Sequence, residues 1–233
     1  ASISSKSERE IGVTWMLIRS FQAPMFAANC WVIAPAAGGE CIIVDPGMPD
    51  ISADIEMIIE ENKLKPVAAF ITHGHLDHTF SIKPLADGYD IPAYIHSEDR
   101  RYIADPSGIH GTEFIDQLGG LVFEEPIKVS EVKNGTTLDL LGMKIEVIHA
   151  PGHTKGSVMF KLNDEVLISG DVLFAGSIGR TDLPTGSASD MKSTLKNKVL
   201  TLSDDLRVLP GHGSETTIKF ERKNNPYLKE LTS

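Results

Sequence analysis

The chain carries the run Ile71-Thr72-His73-Gly74-His75-Leu76-Asp77-His78, in which four side chains able to bind a metal fall within six residues. It follows directly on the apolar segment Val67 to Ile71. Imidazoles and a carboxylate make a poor core filling, because buried polar groups without partners are costly. The run therefore demands a fold in which a buried strand stops near Ile71 and hands these groups to a loop at a sheet edge. Neutral imidazole and carboxylate suit Zn²⁺ and neighbouring divalent ions. Four such groups exceed what one structural zinc needs from a single segment, which points to a metal-dependent hydrolase.

The same grammar recurs three times further on. His153 sits in Ala150-Pro151-Gly152-His153-Thr154, after a strand ending at His149. Asp171 follows Val166–Ile168 through Ser169-Gly170, and His212 follows Val208-Leu209 through Pro210-Gly211. In each case an apolar strand, then a small residue or proline, precedes a possible ligand. Glycine at such a turn permits positive φ and a close backbone approach. Strand ends that converge on one rim would collect all seven groups.

At 233 residues the chain can bury a substantial core. With 41% hydrophobic and 23% charged residues, it is expected to be ordered over most of its length. The formal charge of −10 argues against a non-specific nucleic-acid binder, which needs a basic face. No stretch reaches the ~18 apolar residues needed to span a bilayer. Ser2 to Glu10 is polar and mixed in charge, unlike a secretory signal. Cys30 and Cys41 lie in apolar strand-like runs; two buried free thiols of a reducing compartment is the simpler reading, and a disulfide between them is the alternative. The expectation is a cytoplasmic protein acting on a small molecule, with neither nucleic acid nor membrane as partner.

Read as elements, Ile11–Ser20, Asn29–Ala34 and Glu40–Asp45 are successive strands, with a hairpin turn at residues 36–39. A helix runs from Ile51 to about Asn62, Lys65-Pro66 ends it, and Val67–Ile71 is the strand before the cluster. A second helix follows to about Ala86, kinked or shortened by Pro84. Ala93–His96 is a strand, and Ser97–Ala104 and Gly111–Leu118 are short helices. Strands at Thr136–Leu140, Lys144–His149, Ser157–Leu162 and Glu165–Ser169 open the second half. A helix over Ser187–Leu202, a strand at Arg207–Leu209, a helix over Ser214–Lys223 and a short segment from Pro226 close it. Strands then helix, twice, predicts an α+β fold: two mixed sheets stacked face to face with helices outside, an αβ/βα four-layer sandwich. No linker divides the halves, so residues 1–233 are expected to form a single domain.

With these motifs in place, the chain resembles the metallo-β-lactamase superfamily, whose signature is His-x-His-x-Asp-His with later His, Asp and His. Val44-Asp45-Pro46-Gly47, the loop Gly176 to Asp182, and Leu209-Pro210-Gly211-His212-Gly213 make it look most similar to glyoxalase II-like hydrolases. The resemblance implies that His73, His75 and His153 hold one ion, that Asp77, His78 and His212 hold another, and that Asp171 bridges them. It implies two divalent ions per chain, with Zn²⁺ first and Fe or Mn²⁺ as alternatives. The implied activity is hydrolysis of a small thioester or ester of the S-lactoylglutathione type by a metal-bridging hydroxide, with Asp77 orienting the nucleophile or taking its proton. Asp45 is expected to fix the tautomer of a ligand imidazole, with Thr72 and Thr154 as weaker candidates for that task. Arg180 either binds substrate or braces its own loop with Asp182. His96, His110 and His149 have no motif support and are expected to be structural.

Some branches of the superfamily fit less well. The lactamases carry Cys where this chain has Asp171, diiron flavoproteins replace the His75 position with an acid, and RNA-processing members have basic surfaces. Two-domain glyoxalase II enzymes also draw glutathione contacts from a helical extension, so glutathione is an expectation of the family rather than of the ligand set. The main alternative is a mononuclear-iron persulfide dioxygenase, which shares the Gly179–Asp182 loop. A lactone hydrolase is a further alternative.

Overall fold

Residues 16–232 are described by the computed structural model. The first half of the chain alternates strands and helices. Its strands are β1 (Leu17–Gln22), β2 (Asn29–Ala34), β3 (Glu40–Val44), β4 (Lys65–Phe70), β5 (Ala93–His96) and β6 (Val129–Val132). Its helices are α1 (Ser52–Glu61), α2 (Leu76–Thr79), α3 (Ile82–Gly88), α4 (Ser97–Ala104), α5 (Ser107–His110) and α6 (Thr112–Gln117). The second half adds strands β7 (Thr137–Leu140), β8 (Met143–His149), β9 (Val158–Leu162), β10 (Val166–Gly170), β11 (Leu173–Phe174), β12 (Ser177–Ile178), β13 (Arg207–Pro210) and β14 (Thr216–Thr217). Helices α7 (Ala188–Asn197), α8 (Ile218–Asn224) and α9 (Pro226–Glu230) complete it.

Two mixed sheets result. One runs β1-β2-β3-β4-β5-β6, antiparallel up to β3 and parallel from β3 to β6. The other runs β14-β13-β10-β9-β8-β7, with β10 and β13 as its parallel pair. The two-residue alternation of side chains explains why they stack. On β2 and β3, Trp31, Ile33, Ile42 and Val44 face the opposite sheet, where Val158, Phe160, Val166 and Ile168 meet them. The intervening Cys30, Val32, Cys41 and Ile43 face outward, under α1 and α3. On the far side, Met159 and Leu167 pack against Met191, Leu195 and Leu228 of the outer helices. Phe70 joins the sheets directly, stacking on Phe160 with ring centroids 4.6 Å apart. These four layers are the expected sandwich. Cys30 and Cys41 are buried free thiols.

Local departures from the sequence reading have physical causes. Pro66 lies inside β4 rather than in the turn after α1; it sits where the pairing with β3 shifts register between Cys41 and Ile42, so its missing N–H interrupts no regular ladder. The helix expected after the cluster is two helices. Buried Ser81 separates them, accepting from Ile51 N and donating to Gly47 O, and Pro84 falls in the first turn of α3, where no N–H is needed. The segment Ser214–Lys223 starts as β14 and becomes helical only at Ile218, where the Thr217 hydroxyl caps Phe220 N. The helix predicted over Ser187–Leu202 stops at Asn197 and continues as a 3₁₀ turn, Val199–Thr201. Strands β6, β11 and β12 and helix α5 are additions. Part of the strand predicted over Ile11–Ser20 lies outside the described residues. No described helix is long and apolar enough to cross a membrane.

Candidate metal centre

Five strand ends deliver the seven candidate ligands and Asp45 to one rim. β3 leads to Asp45, β4 to the His73–His78 run, β8 to His153, β10 to Asp171 and β13 to His212. The turns need glycine. Gly170 has φ +50°, and a Cβ on it would come within 2.6 Å of Thr72. A Cβ on Gly211 would lie 2.1 Å from Asp171 Oδ1. The rim is also cross-tied: Asn29 N donates to Gly211 O at 2.7 Å, and the Trp31 indole donates to Pro210 O at 3.1 Å. His212 is thus held to the first sheet although its own strand belongs to the second.

Two triads emerge, each with ligand atoms within 4.8 Å of one another: His73, His75 and His153; and Asp77, His78 and His212. In the first, His75 Nδ1 stands 2.8 Å from His153 Nε2. The His153 Nδ1–H donates to Arg180 O at 2.7 Å, which leaves its Nε2 lone pair facing inward. In the second, His78 Nε2 lies 3.2 Å from His212 Nε2, and Asp77 Oδ2 lies 3.3 Å from His212 Nε2. Asp171 stands between them, with Oδ2 3.4 Å from His153 Nε2 and 3.5 Å from His212 Nε2, and Oδ1 3.5 Å from His78 Nε2.

The donor set suits cations. His73 Nε2, His75 Nε2 and Asp171 Oδ1 are buried without a hydrogen-bond partner, an arrangement that costs free energy unless another group completes it. Nitrogen lone pairs and carboxylate oxygens aimed at common points are what a divalent ion supplies with charge. Asp45, His73 and His78 form a third close group, but both Asp45 oxygens are engaged elsewhere. Oδ1 accepts from Thr72 N at 2.8 Å, and Oδ2 accepts from the Thr72 hydroxyl at 2.6 Å and from His78 Nδ1 at 3.1 Å. The Thr72 hydroxyl lies 3.0 Å from His73 Nδ1, so Asp45 orients His78 directly and His73 through Thr72. Thr154 works differently, donating to Asp99 at 2.6 Å.

The triads differ in basicity. Burial pushes His73 and His75 well below the ordinary imidazole range, and the neighbouring imidazoles push the same way. Burial opposes charge on His78 and His212 too, but carboxylates override it: Asp77 and Asp171 raise His78, and the Asp77 hydrogen bond with Asp171 raises His212. Burial would raise the Asp77 carboxyl; His78 and His212 instead hold it well below the usual carboxylate range.

Two participants gave no local sequence signal. Asp99 in α4 is fully buried and accepts from Gly74 N at 2.8 Å, the Thr154 hydroxyl at 2.6 Å and Gly156 N at 2.8 Å. It therefore clamps the loop bearing His73 and His75 to the loop bearing His153. His110, expected to be structural, lines the cavity over the centre and accepts from Leu76 N at 2.8 Å. His96 and His149 stand apart from the centre's ligands and stack on each other, with centroids 4.2 Å apart. Arg180 lines the cavity, but its guanidinium is paired with Asp182 through bonds of 2.8 and 2.7 Å. This contact holds the Asp182 carboxyl down at about 2. The cavity, about 610 Å³, has His75, His153, Asp77, His212 and Asp171 at its floor and Phe26, Met48, Phe114, Phe174 and Leu183 among its walls.

Stacked mixed sheets with a His- and Asp-lined cation site at their common rim define a scaffold of the metallo-hydrolase type. The family model described as the metallo-beta-lactamase superfamily matches residues 23–212, and the chain belongs to that superfamily. It is 32% identical over 218 residues to the hydroxyacylglutathione hydrolase GloC of Haemophilus influenzae, covering 91% of this chain and 98% of that protein. Among solved structures it is similar to the BLEG-1 B3 metallo-β-lactamase, with a TM-score of 0.80 at 30% identity over 91% of this chain and 99% of that one. It is also similar to TTHA1623 in a di-iron-bound form, with a TM-score of 0.74 at 30% identity over 90% and 100% of the two chains.

Proposed function

We propose that this chain hydrolyses a small thioester or ester at a dinuclear centre, in the manner of the glyoxalase II-like branch. The observation that carries the reading is Asp171, standing between an all-imidazole triad and a mixed one at the floor of a cavity. His73, His75 and His153 would hold one ion, Asp77, His78 and His212 the other, and Asp171 both. An ion pair there supplies Lewis acidity and a water that ionises near neutral pH. The protein's part is positional. Asp45, Thr72 and the Arg180 carbonyl aim the imidazoles, and Asp77, the more open carboxylate, is placed to orient the attacking water or take its proton. The apolar walls would exclude bulk water and seat the substrate's carbon skeleton. The GloC resemblance supports a thioester, and the di-iron neighbour keeps iron beside zinc as the resident metal.

The test pairs elemental analysis of protein purified without added metal with turnover of S-lactoylglutathione, a simple lactone and a β-lactam under anaerobic conditions. Two ions per chain and thioester cleavage without oxygen are expected. Oxygen consumption with glutathione persulfide, coupled to one iron and no anaerobic cleavage, would replace this reading with the dioxygenase.

A further inference from the structure

We propose that His110 is a substrate-contacting residue whose Nδ1–H donates a hydrogen bond to an oxygen of the bound acyl group. The inference rests on the thioester or ester reading above. His110 ends α5, and its ring stands in the cavity wall, 5.0 Å from the His75 ring and 5.2 Å from Phe114. Its Nε2 accepts from the main-chain N–H of Leu76 at 2.8 Å. That N–H is the first free donor of α2 and cannot act as an acceptor, so Nε2 must present a lone pair. The ring proton of a neutral imidazole is then on Nδ1.

No described residue accepts that proton, and Nδ1 is not among the sealed polar atoms, so this edge of the ring is open. A purely structural role would end with the Leu76 contact and would leave the second nitrogen unused in the wall of a working cavity. Apart from the Ser177 hydroxyl, which has a 3.5 Å bond to Ile178 O, the other polar groups there are committed. Arg180 is paired with Asp182, and the imidazoles of the two triads face each other and Asp171. His110 thus offers a neutral donor beside His75, where the reacting acyl group would rest. Its ligand would be an uncharged oxygen acceptor, such as the hydroxyl of a 2-hydroxyacyl group or an ester or thioester carbonyl.

Two measurements on zinc-loaded protein test this. Nitrogen-15 NMR of the imidazoles should show the Nδ1–H tautomer at His110; an Nε2–H tautomer would overturn the proposal. His110→Phe keeps a ring against Phe114 but removes the donor. It should lower kcat/KM for S-lactoylglutathione by about tenfold with zinc per chain unchanged, and His110→Gln should recover part of the loss. Unchanged kcat/KM, or activity and zinc lost in proportion, would assign the ring a structural role only. If the wild-type protein cleaves no thioester or ester, the activity reading fails by itself. His110 is then decided by adding 2-mercaptoacetamide, whose amide carbonyl is an uncharged acceptor: a shifted Nδ1 resonance upholds the contact, and an unmoved one removes it.

Discussion

The all-imidazole triad and the mixed triad share a floor but are opposite in character. His73, His75 and His153 are buried almost completely, and His73 and His75 have little appetite for protons. His78 is sealed as well, but its companions His212 and Asp77 keep 27% and 16% of their side-chain surface exposed, and both imidazoles of that triad hold protons more readily than usual. The lesson is that a site built of neutral donors can wait ready for a cation. A site that mixes acids and bases fills itself with protons, which an ion must then displace.

The largest effect is expected from abolishing the contrast. Asp171→Ala removes the carboxylate that stands between the two triads, and elemental analysis with thioester turnover should find metal and activity lost together; full turnover with two ions would contradict the bridge. Next is pH. His78 and His212 have raised pKa values, so they remain protonated to higher pH than ordinary imidazoles, whereas His73 and His75 stay neutral further into acid. As pH falls from 8 through the ordinary imidazole range near about 6.5, bound metal should drop from about two ions to about one, the mixed triad emptying first. Dialysis at graded pH followed by metal analysis reads this directly, and simultaneous loss of both ions would refute the ordering.

A smaller effect should distinguish the supports. Asp45→Asn should weaken mainly the ion at the mixed triad, and Asp99→Asn mainly the ion at the imidazole triad, each by about 10–100-fold in chelator competition. The same ion weakening in both variants would mean the triads are not separately supported. Smallest of all, Arg180→Ala should leave metal content intact and change kcat/KM by less than about tenfold, because its exposed guanidinium is paired with Asp182 and the bond to His153 comes from its main chain.

The legible parts of this chain were the local ones. The His73–His78 run and the three later turns announce themselves within a few residues each, and apolar runs bounded by turns mark the strands. Which face of β2 or β10 packs the sandwich is not legible, because both faces are apolar and buried. Asp99 left no trace because its partners Gly74, Thr154 and Gly156 are brought to it only by folding. The same holds for His110, whose meaning depends on one N–H donor in a different helix. Ser81 breaks a helix that periodicity alone would continue, because its hydroxyl is committed to Ile51 and Gly47. Strands as short as β11 and β12 arise from pairing with each other and not from any pattern of their own.

The tie between Pro210-Gly211 and the second strand has a consequence for how the protein comes into being. During synthesis on the ribosome, the stretch from Leu17 to His78 emerges well before His212, which lies 134 residues beyond His78. A nascent chain can offer an ion only a partial grip. Loading with the complete set of donors must wait until the strand bearing His212 has emerged and paired.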